Sequence, residues 1–151
     1  MKIAAILARK PSSFECVDVD TPLSDAIELM HNRAIGSVGV TGPDMTGIIG
    51  MVTQHELTSA IAAHGASALA IPVERFMRRP ATACNCEDDA ENVMRIMTRE
   101  RVRHVVVQTL TGKVAGIVSL GDLVAAMLED ARLEAGVLRD MALSRMLAAR
   151  A

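Results

Sequence analysis

Apolar and polar positions alternate along this chain in a pattern that occurs twice. In residues 20–30, Leu23, Ala26, Ile27 and Met30 fall at i, i+3, i+4 and i+7. In residues 87–97, Ala90, Val93, Met94 and Met97 do the same. This spacing predicts one buried helical face, and the two copies are offset by 67 residues (90 − 23 = 97 − 30 = 67). At the same offset (107 − 40 = 67) an apolar run at residues 37–40 matches one at 104–107, and both read as strands. Turns rich in breakers follow, with Thr41, Gly42, Pro43 and Asp44 in the first copy and Thr111, Gly112 and Lys113 in the second. A further strand at 47–53 matches 114–119 at an offset of 66 (116 − 50), so the second loop is one residue shorter. Helices are expected to start near Glu56 and Leu57, and near Asp122 and Leu123. Opening strands are expected at Glu15, Cys16 and Val17 and at Thr82, Ala83 and Cys84. Each unit reads strand, helix, strand, strand, helix.

The first helix of each unit carries a start signal. Thr21 is the expected N-cap, with Pro22 at the first helical position. Asp88 followed by Glu91 resembles a capping box. A single βαββα unit of roughly 60 residues buries too little surface to be comfortable alone. The expected fold is therefore α+β, two such modules packed as a pseudo-two-fold pair with a ligand-sized crevice between them. The expected division is a first module at 1–63, a connection at 64–71, a second module at 72–130 and a helical tail at 131–151. Gly136 is expected to divide the helical stretch that begins at Leu123. Leu133, Val137, Met141, Met146 and Leu147 form an apolar stripe on it that requires a partner. Its own chain, a dimer mate and an external effector all remain open as that partner.

Composition narrows the function. The chain has 151 residues, 16 Lys and Arg against 18 Asp and Glu, and a formal net charge of −2, which gives no footprint for a polyanion. Aromatic residues make up 1%, too few for stacking on single-stranded nucleic acid. No apolar run approaches the ~18 residues of a membrane span, and residues 1–8 are too short for a secretory signal. Three cysteines without a disulfide pattern fit a reducing, cytoplasmic setting. Cys84 and Cys86 form a single pair without a second pair at ligand spacing, so they read as small apolar residues on one strand face and no metal site is expected. His31, His55, His64 and His104 are scattered. No phosphate-binding Gly loop or nucleophile elbow is present, and no nucleophile stands beside a base, so an enzyme is not expected.

Residues 97–107 and 112–123, paired in register with their first-copy counterparts, resemble a tandem pair of CBS modules of the stand-alone bacterial type. The family is named after cystathionine β-synthase, and the resemblance spans roughly residues 1–128. It implies a disc-shaped homodimer that binds AMP, ADP, ATP, S-adenosylmethionine or NAD(H) between modules. It implies an energy- or redox-sensing regulatory role toward an unidentified effector protein, with no required cofactor.

The resemblance also points to site residues. Ser119 and Asp122 flank Leu120 and Gly121 where a strand enters a helix. There the Asp would hold the ribose, Ser119 a phosphate or the sugar, and Gly121 a closely approaching ligand. The helix N-terminus favours phosphate, although Ser-x-x-Asp before an apolar run is also a plain cap. The first copy has Thr53, Gln54, His55 and Glu56. The longer Glu56 must lie deeper or fold back, and His55 replaces an arginine frequent in relatives, so this site is expected to be weaker, altered or empty. Arg103 and His104 are expected phosphate ligands, and one copy's basic residues can serve the cleft of the other. Gly36 and Ser37 stand in their place in the first copy. The opening strands, Thr82, Ala83 and Cys84 and Glu15, Cys16 and Val17, would meet the adenine, with Ile117 and Met51 as apolar walls. The alternative function is a structural dimerisation module with empty clefts.

Overall fold

The computed structural model describes residues 1–10, 14–43 and 47–148. Asp44 of the expected turn and the last three residues of the expected tail lie outside them. Helix α1 (Ile3–Leu7) precedes the first unit: β1 (Cys16–Asp18), α2 (Leu23–Asn32), β2 (Ser37–Thr41), β3 (Ile48–Thr53) and α3 (Gln54–His64). Two 3₁₀ segments, Gly65–Ala70 and Val73–Arg75, lead to the second unit: β4 (Ala83–Asn85), α4 (Ala90–Glu100), β5 (His104–Gln108), β6 (Val114–Ser119) and α5 (Leu120–Ala148). Both units have the predicted strand and helix order.

The two sheets are copies in detail. In each, the opening strand pairs parallel with the second, and the second pairs antiparallel with the third. Both antiparallel ladders shift register at matching points, between Val40 and Thr41 and between Val107 and Gln108. Each helix-to-strand passage also turns through a left-handed residue, Ala34 at φ 52° and Arg101 at φ 55°. Neither is glycine, so each carries a strain of roughly 1–2 kcal/mol that the surrounding packing must hold.

The cores are exchanged. Ile3 and Ile6 of α1 are buried among Cys84, Val93, Met97, Val105 and Leu123 of the second unit, although the sequence places residues 1–8 ahead of the first strand. Conversely, Val73 is buried in the first core, with Phe76 and Met77 packed against it. Ala68, within the expected connection, is buried there too. Glycines admit the crossing segments at matching strand positions. A Cβ on Gly50 would lie 2.6 Å from Met77 Sδ, and one on Gly116 would lie 2.9 Å from Leu7 Cδ2.

This exchange corrects the expected helix starts. The N-caps are Pro22 and Asp89, without side-chain cap bonds. Instead, Leu23 N donates to Ile71 O at 3.0 Å and Ala90 N donates to Met1 O at 3.0 Å. Backbone carbonyls from the crossing segments thus satisfy N–H groups that side-chain caps would otherwise have met. Asp88 is a turn residue whose carboxylate accepts from Asn85 N at 2.8 Å, while Glu91 faces Arg95 at 3.7 Å.

The expected break at Gly136 does not occur: α5 is one helix of 29 residues. A single exposed glycine costs a helix about 1 kcal/mol, which the surrounding Ala, Leu, Met, Glu and Arg residues outweigh. Ile3→Ala should remove about 2–5 kcal/mol of stability, because it empties a fully enclosed position. Urea unfolding would measure this, and a loss below about 1 kcal/mol would show that α1 is not integral to the second core.

Candidate functional site

The seam between the units holds two clefts, each lined by both copies. The larger, about 750 Å³, includes Ile117, Ser119 and Asp122 from the second copy and Glu15, Ile35, Gly36 and Ser37 from the first. The smaller, about 340 Å³, includes Met51, Thr53, His55 and Glu56 from the first copy and Thr82, Arg103 and His104 from the second. Both volumes lie in the range of small-molecule sites. The two linings are equivalent under the repeat: Met51, Thr53 and Glu56 correspond to Ile117, Ser119 and Asp122 at offset 66. His104 lines both clefts.

Each cleft contains a helix N-terminus closed by a hydroxyl and an acid. At α5, Asp122 Oδ2 accepts from Ser119 N at 2.7 Å and from Ser119 Oγ at 2.8 Å, while Asp122 N donates to Ser119 Oγ at 3.1 Å. At α3, Glu56 Oε2 accepts from Thr53 N at 3.0 Å and from the Thr53 hydroxyl, and His55 N donates to Thr53 Oγ1 at 3.2 Å. Glu56 is buried, so its extra methylene is absorbed by folding back onto Thr53. The plain capping arrangement is therefore present at both sites, with the acids still on the cleft walls.

A base from each crossing segment meets each acid. Lys10 Nζ donates to Asp122 Oδ2 at 2.6 Å and to Ile117 O at 3.1 Å. Arg78 Nε lies 3.8 Å from Glu56 Oε1, and the Arg78 backbone pairs with Met51, which corresponds to Ile117. Burial alone would raise the Asp122 carboxyl, but the bonds from Lys10 and Ser119 outweigh it and hold the group below the usual carboxylate range.

The clefts differ in charge. The larger has Lys10 and Arg33 against Glu15 and Asp122, and both bases are paired, Arg33 Nε with Glu15 Oε1 at 3.2 Å. The smaller has Arg78, Arg101 and Arg103 against Glu56 (3 − 1 = 2 excess positive charges). Among the described residues, neither Arg101 nor Arg103 has an acidic partner within ion-pair distance. At His104, burial pushes the pKa down against the pull of Asp122, and among the described residues its buried Nδ1 has no partner.

The remaining expected site residues lie elsewhere. Cys84 is enclosed in the second core, where burial, with Asp88 and Cys86 nearby, pushes its thiol up to about 12. Val17 packs on the first core, and Cys16, raised by burial and by Glu15, sits against Gly39. Ala83 is exposed on β4. The opening strands thus send only Glu15 and Thr82 of their six expected residues to cleft walls. Gly121 is the second residue of α5, and an added Cβ there would meet only Ser119 Oγ, at an ordinary 3.6 Å. Sequence reasoning missed Lys10, Arg33, Arg78 and Arg101. Arg101 was within reach, because it stands two residues before Arg103 in the matched helix-to-strand passage. Lys10 and Arg78 were not, because only the exchange of segments brings them across the seam.

Among the described residues, no helix is long and apolar enough to cross a membrane, and no cluster of His, Cys, Asp and Glu could hold a metal ion. The family model for the CBS domain matches twice, over residues 7–63 and 73–129. The crystal structure of a CBS-domain containing protein from Agrobacterium tumefaciens is similar, at 33% identity and a TM-score of 0.78, covering 83% of this chain and 98% of that one. A CBS domain protein from Pyrobaculum aerophilum, solved in complex with AMP, is 21% identical with a TM-score of 0.74, covering 87% of this chain and 99% of that one. An uncharacterised 17.7 kDa protein of Acidianus ambivalens is 24% identical over 113 residues, which is 75% of this chain and 66% of that protein. With two in-register matches over most of its length and the corresponding paired βαββα structure, the chain belongs to the CBS domain family.

Proposed function

We propose that this chain is an adenine-nucleotide-binding regulatory module without catalytic activity of its own, a cytoplasmic homodimer sensing energy or redox state through AMP, ATP or NAD(H). The observation that carries this reading is the pair of equivalent clefts. Each joins a hydroxyl–acid helix start from one copy to the helix-to-strand passage of the other. In the smaller cleft, Arg101 and Arg103 supply phosphate-binding cations without acidic partners among the described residues, and Thr53 and Glu56 face the sugar. Guanidinium groups bind phosphate through paired N–H donors, which makes such contacts strong and directional. The electrostatics favour this cleft for the phosphate, the reverse of the ranking expected from its departures from the family motif. The AMP complex of the Pyrobaculum relative supports adenylate as the ligand class. Nucleotide lodged between the copies would favour one relative arrangement of the modules, and an effector would read that population shift.

A second reading, an interaction module with empty clefts, draws support from the internal pairing of every charge in the larger cleft. It also draws support from α5, where Val124, Leu128, Leu138 and Met146 are exposed. Leu133, Val137, Met141, Leu143 and Leu147 are exposed as well, and at 100° per residue the nine surround the helix rather than forming the one stripe expected from Leu133, Val137, Met141, Met146 and Leu147. A second copy of the chain is the proposed cover for this helix, so this surface serves either reading.

Two outcomes are expected. AMP should raise the melting temperature, and Arg103→Ala should weaken AMP binding roughly 10- to 100-fold, the loss of about 1.5–3 kcal/mol typical of a charged hydrogen bond. Titration calorimetry without heat from AMP, ATP or NAD(H) at millimolar concentration would overturn the nucleotide reading. Sedimentation analysis should show a dimer that Leu138→Glu weakens, and a wild-type monomer at tens of micromolar would remove the homodimer.

A further inference from the structure

We propose that Lys10 is the affinity-setting residue of the larger cleft, an internal ammonium seated on the acceptors that a bound sugar would use, so that the smaller cleft fills first. This inference rests on the nucleotide-binding reading. Lys10 Nζ bonds at once to the Asp122 carboxylate, at 2.6 Å, and to the Ile117 carbonyl, at 3.1 Å. Asp122 Oδ2 already accepts from Ser119 N and Oγ, so the ammonium adds a third donor to that oxygen. Ion and partner are both half-buried, with side-chain exposures of 33% and 26%, where charge-assisted bonds are stronger than at an open surface. A ribose hydroxyl that is to use Oδ2 or the Ile117 carbonyl must displace the ammonium, and a neutral hydroxyl is the weaker donor to a carboxylate.

The equivalent position in the other cleft shows the contrast. Arg78 reaches Met51 through its backbone, with N to O distances of 2.9 and 3.0 Å, and its guanidinium stands 3.8 Å from Glu56. That contact is too long for a hydrogen bond, so among the described residues no ammonium or guanidinium is bonded to this acid, which is itself more enclosed than Asp122, with a side-chain exposure of 10%. Among the described residues, the smaller cleft also keeps two unpaired guanidinium groups for an anion, whereas in the larger one Arg33 is engaged by Glu15. The two sites are therefore alike in fold and unlike in what a ligand must break to enter.

Calorimetric titration of the full chain with AMP tests this on four proteins: wild type, Lys10→Met, Arg103→Ala and the double variant. Wild type should bind one AMP per chain tightly and a second at least tenfold more weakly. Lys10→Met should tighten the second step tenfold or more while moving the first by less than twofold, and in the Arg103→Ala background it should tighten the larger cleft by the same factor, making that cleft the tighter site. Lys10→Arg, which retains the cation, should behave as wild type. Weaker second binding in Lys10→Met would overturn the proposal by making Lys10 a phosphate ligand, and two equal sites in wild type would overturn it while leaving the nucleotide reading intact. AMP bound by none of the proteins would overturn both. Melting curves that overlay for wild type and Lys10→Met would show that the fold is unchanged, and α1 remains anchored independently by Ile3 and Ile6.

Discussion

The structure depends on the exchange of short segments between two copies of one small fold. Neither copy closes its own core. Ile3 and Ile6 enter the second from ahead of the first, and Val73, Phe76 and Met77 enter the first from ahead of the second. The same segments supply the backbone carbonyls that receive the leading N–H groups of α2 and α4. Hydrophobic burial and hydrogen-bond satisfaction thus make one demand, that the copies stay side by side. Because every buried backbone donor requires a partner, separating the modules would expose helix starts as well as apolar surface.

The clefts follow from that constraint. Wherever a crossing segment passes from one core to the other it runs over the seam, bringing a cation to the acid at the start of the closing helix of the unit whose core it has just entered. Lys10 meets Asp122 and Arg78 meets Glu56. The duplicated fold gives two equivalent sites, and small substitutions make them differ. Arg103 matches Gly36, His104 matches Ser37 and Arg101 matches Ala34, so the cations accumulate on one side of the seam. Local sequence departures in one copy consequently change the site named after the other.

The repeat made the architecture legible. Helical spacing at Leu23–Met30 and Ala90–Met97, with strand runs at a constant offset, specified both units and their order, because binary patterning reports which face is buried. The cap signals at Thr21 and Asp88 misled because a tertiary contact met the same donors by another route. Gly136 misled because the helix propensity of its neighbours exceeds the penalty of one glycine. At the site, Ser119, Asp122, Thr53 and Glu56 were legible as strand-to-helix junctions, and Arg103 as a basic residue of the matched passage. Lys10 and Arg78 carry no local signature. Their role comes from where the chain crosses, which is a property of the pairing rather than of any segment. The lowered pKa of His104 was likewise invisible, since it reflects enclosure between both copies.

The geometry of α5 gives the cleft a long reach. The helix begins at the Ser119–Asp122 junction and continues unbroken for 29 residues, about 43 Å at 1.5 Å per residue. Its first turns are anchored by Leu123 and Ala126, whereas its distal half projects into solvent. A rod fixed at one end is a lever: a tilt of about 5° at its root sweeps its tip through about 4 Å. Displacements too small to disturb the packed sheets would thereby be amplified at the far end, where Met146 and its neighbours lie.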